Sequence, residues 1–186
     1  METAEVLTKT KWSIDRAHSE ISFKVKHLMI TNVRGVFTDF EVNIYTTNED
    51  FLTSEIDVWI NPTSVNTGDI KRDEHLQSAD FFDVANHKQI TFVGNTFEKP
   101  ETDDYYHLFG DLTIKGITKQ IKLNVEFGGV MQDPWGNDKA GFSISGKINR
   151  NDWDLNWNTT LELGGVLVSE DVRISGEIQL VKQVIV

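Results

Sequence analysis

Residues 71–92 read KRDEHLQSADFFDVANHKQITF, and they interrupt a chain otherwise built from alternating strands. Thr67 or Asp69 can cap a helix here, because their side-chain oxygens accept from amides that a first turn leaves without partners. Ile70 and Leu76 are the only large aliphatic residues in this segment before Ser78, so the helix is polar and lies on a surface. Phe81-Phe82 follow, and Ile90 and Phe92 then open a new strand. A polar helix running into two adjacent phenylalanines suits a cover over the mouth of a β-barrel, with both rings pointing into that mouth. An ordinary crossover whose phenylalanines plug the core suits the composition equally well.

Upstream of this stretch, residues 20–28 place Ile21, Phe23 and Val25 two apart, with Ser22, Lys24 and Lys26 on the other face. Successive strand side chains point to opposite sides, so one face is buried and the other wet. His27 continues the buried phase, and 12–14 forms a short preceding piece. A second strand over 34–44 groups Val36, Phe40, Val42 and Ile44. A third over 55–60 alternates Ile56, Val58 and Ile60 with Glu55, Asp57 and Trp59, and Pro62 ends it because proline cannot donate to a ladder.

Downstream, 89–95 is the fourth strand. Leu108, Leu112 and Ile114 mark the fifth, and Ile121, Leu123, Val125 and Phe127 the sixth. Lys115-Gly116 joins these two as a hairpin, glycine tolerating the positive φ that a tight turn demands. Gly128-Gly129 and 133–136 read as a loop. Phe142, Ile144 and Ile148 carry the seventh strand, extended by Trp153, Leu155 and Trp157, again two apart. Val172, Ile174, Ile178 and Leu180 carry the eighth. One apolar and one polar face on nearly every strand indicates an antiparallel sheet. Such a sheet can curl and close on itself, which removes its edges. The expected fold is therefore all-β: an eight-stranded antiparallel barrel with a helix over one end. A two-sheet sandwich would show a similar pattern.

The 186 residues suit one domain over 1–186, with its core at about 12–182. A net charge of −11, from 29 acidic against 18 basic residues, repels nucleic-acid phosphates and anionic membrane faces. No apolar run approaches a membrane span, so stable membrane insertion is not expected. The start, METAEVLTKTKWSID, shows no basic segment followed by an apolar one. A cytoplasmic location is expected on that ground, or a periplasmic one if a leader was removed. Zero cysteines exclude disulfides, thiol chemistry and thiolate zinc sites. His18, His27, His75, His87 and His107 lack metal-site spacing, and nucleophile-elbow, phosphate-loop and dinucleotide motifs are missing.

Three polar residues stand out. His27 ends an apolar row, Arg34 lies in the turn into the second strand, and Asp80 precedes the two phenylalanines. One reading gathers them at the barrel mouth around a ligand's polar head. The other is a satisfied buried histidine plus a surface Arg–Asp pair of little energetic weight.

Several blocks together resemble the YceI-like family of lipid- and polyisoprenoid-binding proteins. They are Trp12-x-Ile14-Asp15-x-x-His18-Ser19-x-Ile21-x-Phe23 with Val25-Lys26-His27, then Val33-Arg34-Gly35-x-Phe37, then Arg72-x-Glu74-His75-Leu76 with Phe81-Phe82-Asp83-Val84 and Ile90-Thr91-Phe92. The run from Gly110 to Lys119 and the late block from Gly141-Phe142 through Asn149-Arg150 to Asp152-Trp153 and Leu155-Asn156-Trp157 follow in order. The chain departs from the pattern at His87-Lys88, where the family usually has Tyr-Pro.

The resemblance implies a lipocalin-like barrel with a long apolar channel. It also implies a bound isoprenoid, such as a quinone tail or a polyprenyl alcohol or phosphate, or another long-chain lipid, with no cofactor or metal. The expected ligand-binding set is Phe23, Val25, His27, Arg34, Phe40, Val58, Asp80, Phe81, Phe82, Phe92, Leu112, Ile114, Leu123, Val125, Phe127, Phe142, Ile144, Trp153 and Trp157. Two alternatives stand beside a non-enzymatic carrier. One is an enzyme acting on an isoprenoid head group with His27 as base and Arg34 as anion stabiliser. The other is a protein-interaction module with a filled barrel. A twofold homodimer is a further expectation, because closed twofold assemblies are common.

Overall fold

The computed structural model describes residues 6–183. Residues 1–5 and 184–186 of the expected 1–186 domain lie outside the described residues. The strands are β1 (Lys9–Ile14), β2 (Glu20–His27), β3 (Thr31–Phe37), β4 (Phe40–Thr47), β5 (Asp50–Ile60), β6 (Val65–Asn66), β7 (Ile90–Glu98), β8 (Tyr106–Ile114), β9 (Ile117–Gln132), β10 (Asp138–Asn149) and β11 (Val168–Lys182), with one helix, α1 (Ile70–Gln77). All eleven strands belong to one antiparallel sheet in the order β1-β4-β5-β7-β8-β9-β10-β11-β2-β3-β6, and β1 also pairs with β11.

That last pairing closes the sheet. One edge of β11 receives β2 along Val168–Glu177 and β1 along Leu180–Lys182. β1 and β2 are therefore two halves of one wall strand, parted by a 3-10 turn at Arg16–His18. β3 and β4 are likewise two halves, one paired with β2 and the other with β1. With the two-residue β6 set aside, the wall is a closed eight-stranded antiparallel barrel.

Asp15 holds the break between β1 and β2. Its carboxylate accepts from Lys139 Nζ on β10 at 2.6 Å, from the Ala17 amide at 3.2 Å and from Gln179 Nε2 at 3.3 Å, and it meets His18 Nδ1 at 3.0 Å. The Lys139 bond above all, then His18, keeps the Asp15 pKa below its ordinary value against the opposing effect of burial.

Several strand limits differ from the sequence expectation. The strand expected over 34–44 is broken at Thr38 and Asp39, and the break reverses its phase. Phe37 is consequently buried, while Val36, expected with Phe40, lies on the opposite face. β5 begins five residues early, at Asp50, because Asn48 and Glu49 form a tight hairpin turn with φ of 49° and 65° and no glycine. Gly128-Gly129 is a bulge inside β9 and not a loop: Gly141 pairs with Gly129 and Phe142 with Phe127, leaving Gly128 over. The seventh strand stops at Asn149. Trp153, Leu155 and Trp157 are not a strand but belong to a 3-10 turn at Arg150–Trp153 and the irregular segment after it. The Lys115-Gly116 turn stands as expected, with φ of 51° and 73°.

Glycines recur in the inward rows and let large side chains lie flat against the wall. A Cβ at Gly110 would collide with the Phe92 ring and meet the Val93 carbonyl oxygen at 2.6 Å, and one at Gly35 would collide with the Phe23 ring. The carbonyl cannot swing away as a side chain can. Gly110→Ala is thus expected to destabilise the barrel by about 1–3 kcal/mol through overpacking, read as a lower urea midpoint. Asp15 gives a second expectation. A carboxyl whose folded pKa is depressed contributes stability that is present above its unfolded value and lost as pH falls through the folded one. Asp15→Asn should therefore cost stability at neutral pH and flatten the decline below about pH 4, measured by thermal unfolding across pH.

Candidate functional site

The inward rows do not meet in the middle. They surround a cavity of about 390 Å³ whose lining draws on nearly every wall strand, from Phe51, Phe97 and Phe142 at one end to Arg72, His75 and Trp157 at the other. Its wall is almost wholly aliphatic and aromatic, with Val25, Val33, Val42, Ile56, Val58 and Leu123 among the contributors. Cavities of a few hundred Å³ lined this way are typical small-molecule sites.

The two ends are built differently. At the far end the rings of Phe51, Phe127 and Phe142 lie 4.9–5.4 Å apart, with Trp12 against Phe51 at 5.0 Å. This aromatic floor fills the space where β1, β9, β10 and the start of β5 converge. At the near end α1 lies across the opening. Asp69 caps it by accepting from the Arg72 amide at 3.0 Å, whereas Thr67, the other candidate cap, accepts from the Arg72 side chain at 2.7 Å. No α1 residue is fully buried, as its polar composition requires. Phe81 and Phe82 line the cavity, Phe82 against Phe37 at 5.9 Å and Phe81 against Trp157 at 5.5 Å. The helix thus covers the mouth and the two phenylalanines enter it.

Most of the expected ligand-binding set lines this cavity: Phe23, Val25, His27, Val58, Phe81, Phe82, Phe92, Leu112, Ile114, Leu123, Val125, Phe142, Ile144 and Trp157. Five residues stand elsewhere. Arg34 faces outward on β3 and pairs with Glu20, because the residues that turn inward there are Val33, Gly35 and Phe37. Asp80 is exposed and meets His75 Nε2 at 2.8 Å. His27, Arg34 and Asp80 therefore do not form one cluster. Phe40 is buried behind the lining, and Phe127, 37% exposed, lies between the floor and an outer groove with Glu126 and Gln179. Trp153, 1% exposed, donates its indole N–H to the Leu112 carbonyl at 2.9 Å and plugs the side of the mouth.

The functional residue that strand phasing missed is Arg150. It is 3% exposed and lines the cavity. Its Nε donates to the Ser169 carbonyl at 2.8 Å, its Nη1 to the carbonyls of Leu155 and Trp157 (the latter at 2.9 Å), and its Nη2 to that of Val168 at 3.3 Å. Burial lowers the Arg150 pKa, and the nearby Glu170 acts the other way. The guanidinium gathers the irregular segment after β10 onto the start of β11. Its only sequence signal is its place in the block Ile148-Asn149-Arg150, which carries no hint of burial. Among the described residues no group of His, Asp or Glu side chains is arranged to hold a metal ion, and no helix is long and apolar enough to cross a membrane.

A closed antiparallel barrel, plugged with aromatic rings at one end and roofed by a helix at the other around an apolar hollow, defines a lipocalin-like binding protein. A YceI-like domain profile matches residues 12–180, and the chain belongs to that family. A UPF0312 protein of Staphylococcus aureus is 39% identical over 165 residues, covering 88% of this chain and 93% of its own length. The Campylobacter jejuni YceI protein superposes with a TM-score of 0.73 at 34% identity, covering 99% of this chain and 100% of its own. A polyisoprenoid-binding domain from Saccharophagus degradans, at 15% identity, shares the fold with a TM-score of 0.67 over 92% of this chain and 98% of its own.

Losing Arg150 leaves four carbonyls without their donor. Arg150→Leu is expected to cost about 3 kcal/mol or more and to expose residues 155–168 to protease. Urea unfolding and limited proteolysis would check this; unchanged stability would mean that the arginine is not a clamp.

Proposed function

We propose that the chain binds and carries a long apolar lipid, an isoprenoid, inside the barrel without chemically altering it. The observation that carries this reading is the continuous apolar hollow between the aromatic floor and the helix-covered mouth. Each buried methylene contributes about 0.8 kcal/mol on leaving water. A tail of about ten buried carbons then has a nominal drive near 8 kcal/mol, within the range of the costs of association, and a longer tail exceeds more of it. Such a site needs a dry channel and a few polar groups at its mouth, and the lining supplies both. The polyisoprenoid-binding description of the Saccharophagus degradans domain supports the same ligand class.

The enzymatic alternative requires His27 and Arg34 on one head group, but Arg34 is committed to Glu20 on the outer wall. The filled-barrel alternative has no use for an unfilled lumen. Native mass spectrometry of the freshly purified chain, followed by organic extraction, is expected to release an isoprenoid or related long-chain lipid. Recovery of no lipid, together with failure of the stripped protein to take up a prenol, would overturn the reading.

Val125 is 2% exposed on the inward face of β9, and Phe142 closes the floor. Val125→Arg or Phe142→Arg is expected to block lipid uptake. Ile144→Trp, which adds bulk to the hollow without a charge, should shorten the longest tail accepted while circular dichroism stays native. A folded Ile144→Trp protein with unaltered chain-length preference would mean that the tail does not occupy the lumen.

A further inference from the structure

The chemistry of the cavity's rim is one-sided. Every ionisable residue that lines the cavity is basic: Lys26, His27, Arg72, His75 and Arg150. No aspartate or glutamate lines it, in a chain with 29 acidic residues against 18 basic ones. On an unbiased surface of this composition carboxylates would outnumber cations at any opening.

Contacts place all five at the near end. His27 pairs across the sheet with Val168, whose carbonyl accepts from Arg150. Arg150 also holds the Trp157 carbonyl, the Trp157 ring lies 4.6 Å from that of His75, and Arg72 is on the same helix one turn earlier. Lys26 adjoins His27 in the strand, with its side chain on the outer face beside Lys24. Among the described residues, no carboxylate lies within 4.0 Å of the side-chain nitrogens of Lys26, His27, Arg72 or Arg150, and only His75 has one, Asp80 at 2.8 Å.

The two guanidinium groups are held in place by neutral oxygens that fix them without cancelling their charge. Arg72 donates from Nε to Thr67 Oγ1 at 2.7 Å and from Nη2 to the Thr67 carbonyl at 2.9 Å, which leaves its Nη1 uncommitted. Arg150, 97% removed from solvent, rests on four carbonyls. A buried cation whose direct partners are carbonyl dipoles, with Glu170 acting only from a distance, raises the affinity of its surroundings for an anion. The Arg72 Nη1 left over can donate a charge-assisted hydrogen bond to a phosphate or carboxylate oxygen.

We propose that the mouth selects an amphiphile with an anionic head group, a phosphate or a carboxylate, over the neutral alcohol with the same tail. The tail lies toward the aromatic floor and the head sits among His27, Arg72, His75 and Arg150. This inference rests on the lipid-carrier reading and names the head group for it.

The test uses the full chain stripped of lipid and titrated with four probes: farnesyl phosphate, farnesol, palmitate and hexadecanol. Farnesyl phosphate is expected to bind about tenfold or more tightly than farnesol at low ionic strength, as one or two charge-assisted hydrogen bonds would give. Raising the salt should narrow that ratio, because the rim is open to solvent. The variant Arg72→Gln changes an exposed side chain and should narrow it as well.

The same preference for palmitate over hexadecanol would extend the site to carboxylates, whereas its absence would confine it to phosphates; both support the proposal. Equal affinity for farnesyl phosphate and farnesol, or a ratio unmoved in the Arg72→Gln variant, overturns it while the lipid-carrier reading stands. Failure of all four probes to bind overturns both.

Discussion

Closure of the backbone ladder is the constraint from which the rest of this structure follows. β11 has a single free edge, and two short strands must share it for the sheet to return to its beginning. The chain solves this by breaking one wall strand into β1 and β2 and seating a carboxylate in the break. Asp15 can stay ionised there, with 14% of its side chain exposed, because Lys139 reaches it from the neighbouring wall strand. Pairing around the ring covers most strand edges and so limits pairing with another chain, although β5 meets β7 only over Asp57–Ile60 and β3 meets β6 only at Val36 and Phe37. A sheet closed in this way has an inner face, and its strand number decides how much space that face encloses.

What the inner face does with that space depends on side-chain volume. Glycines at Gly35 and Gly110 let Phe23 and Phe92 fold against the wall instead of projecting across the lumen. At the far end the rings of Phe51, Phe127 and Phe142 do the opposite and fill the cross-section. The hollow is thus a distribution of bulk along the barrel axis, with aromatics spread flat in the middle and packed together at the floor. At the mouth, Arg150 replaces regular hydrogen-bonded structure over residues 155–168 with its own four bonds to carbonyls, which allows an irregular segment to border an apolar space.

Much of the wall was legible in the sequence because period-two alternation reports which face is wet. Phe23 and Val25, Leu123 and Val125, and Phe142 and Ile144 all lie where their phase puts them. Reading failed where phase is interrupted. The turn at Thr38 and Asp39 carries no proline or glycine, so a reversal of face passed for one continuous strand, and Phe37 went unnoticed. Asn48-Glu49 adopts positive φ without the glycine that usually announces a hairpin. Trp153, Leu155 and Trp157 are two apart in a segment that is not a strand, a coincidence of spacing that periodicity cannot separate from the real signal. Arg34 and Arg150 show the harder limit. Composition marks both as surface charges, and only the fold turns one outward and surrounds the other with carbonyls.

The ring-stacked floor has a kinetic corollary. Rings packed at the base leave the helix-covered end as the wider door, so a slender molecule lodged within would depart by the way it came, in reverse order. The end that entered last would then be the first presented outside. Departure of this kind proceeds link by link, and at no stage would the whole greasy length have to stand in water.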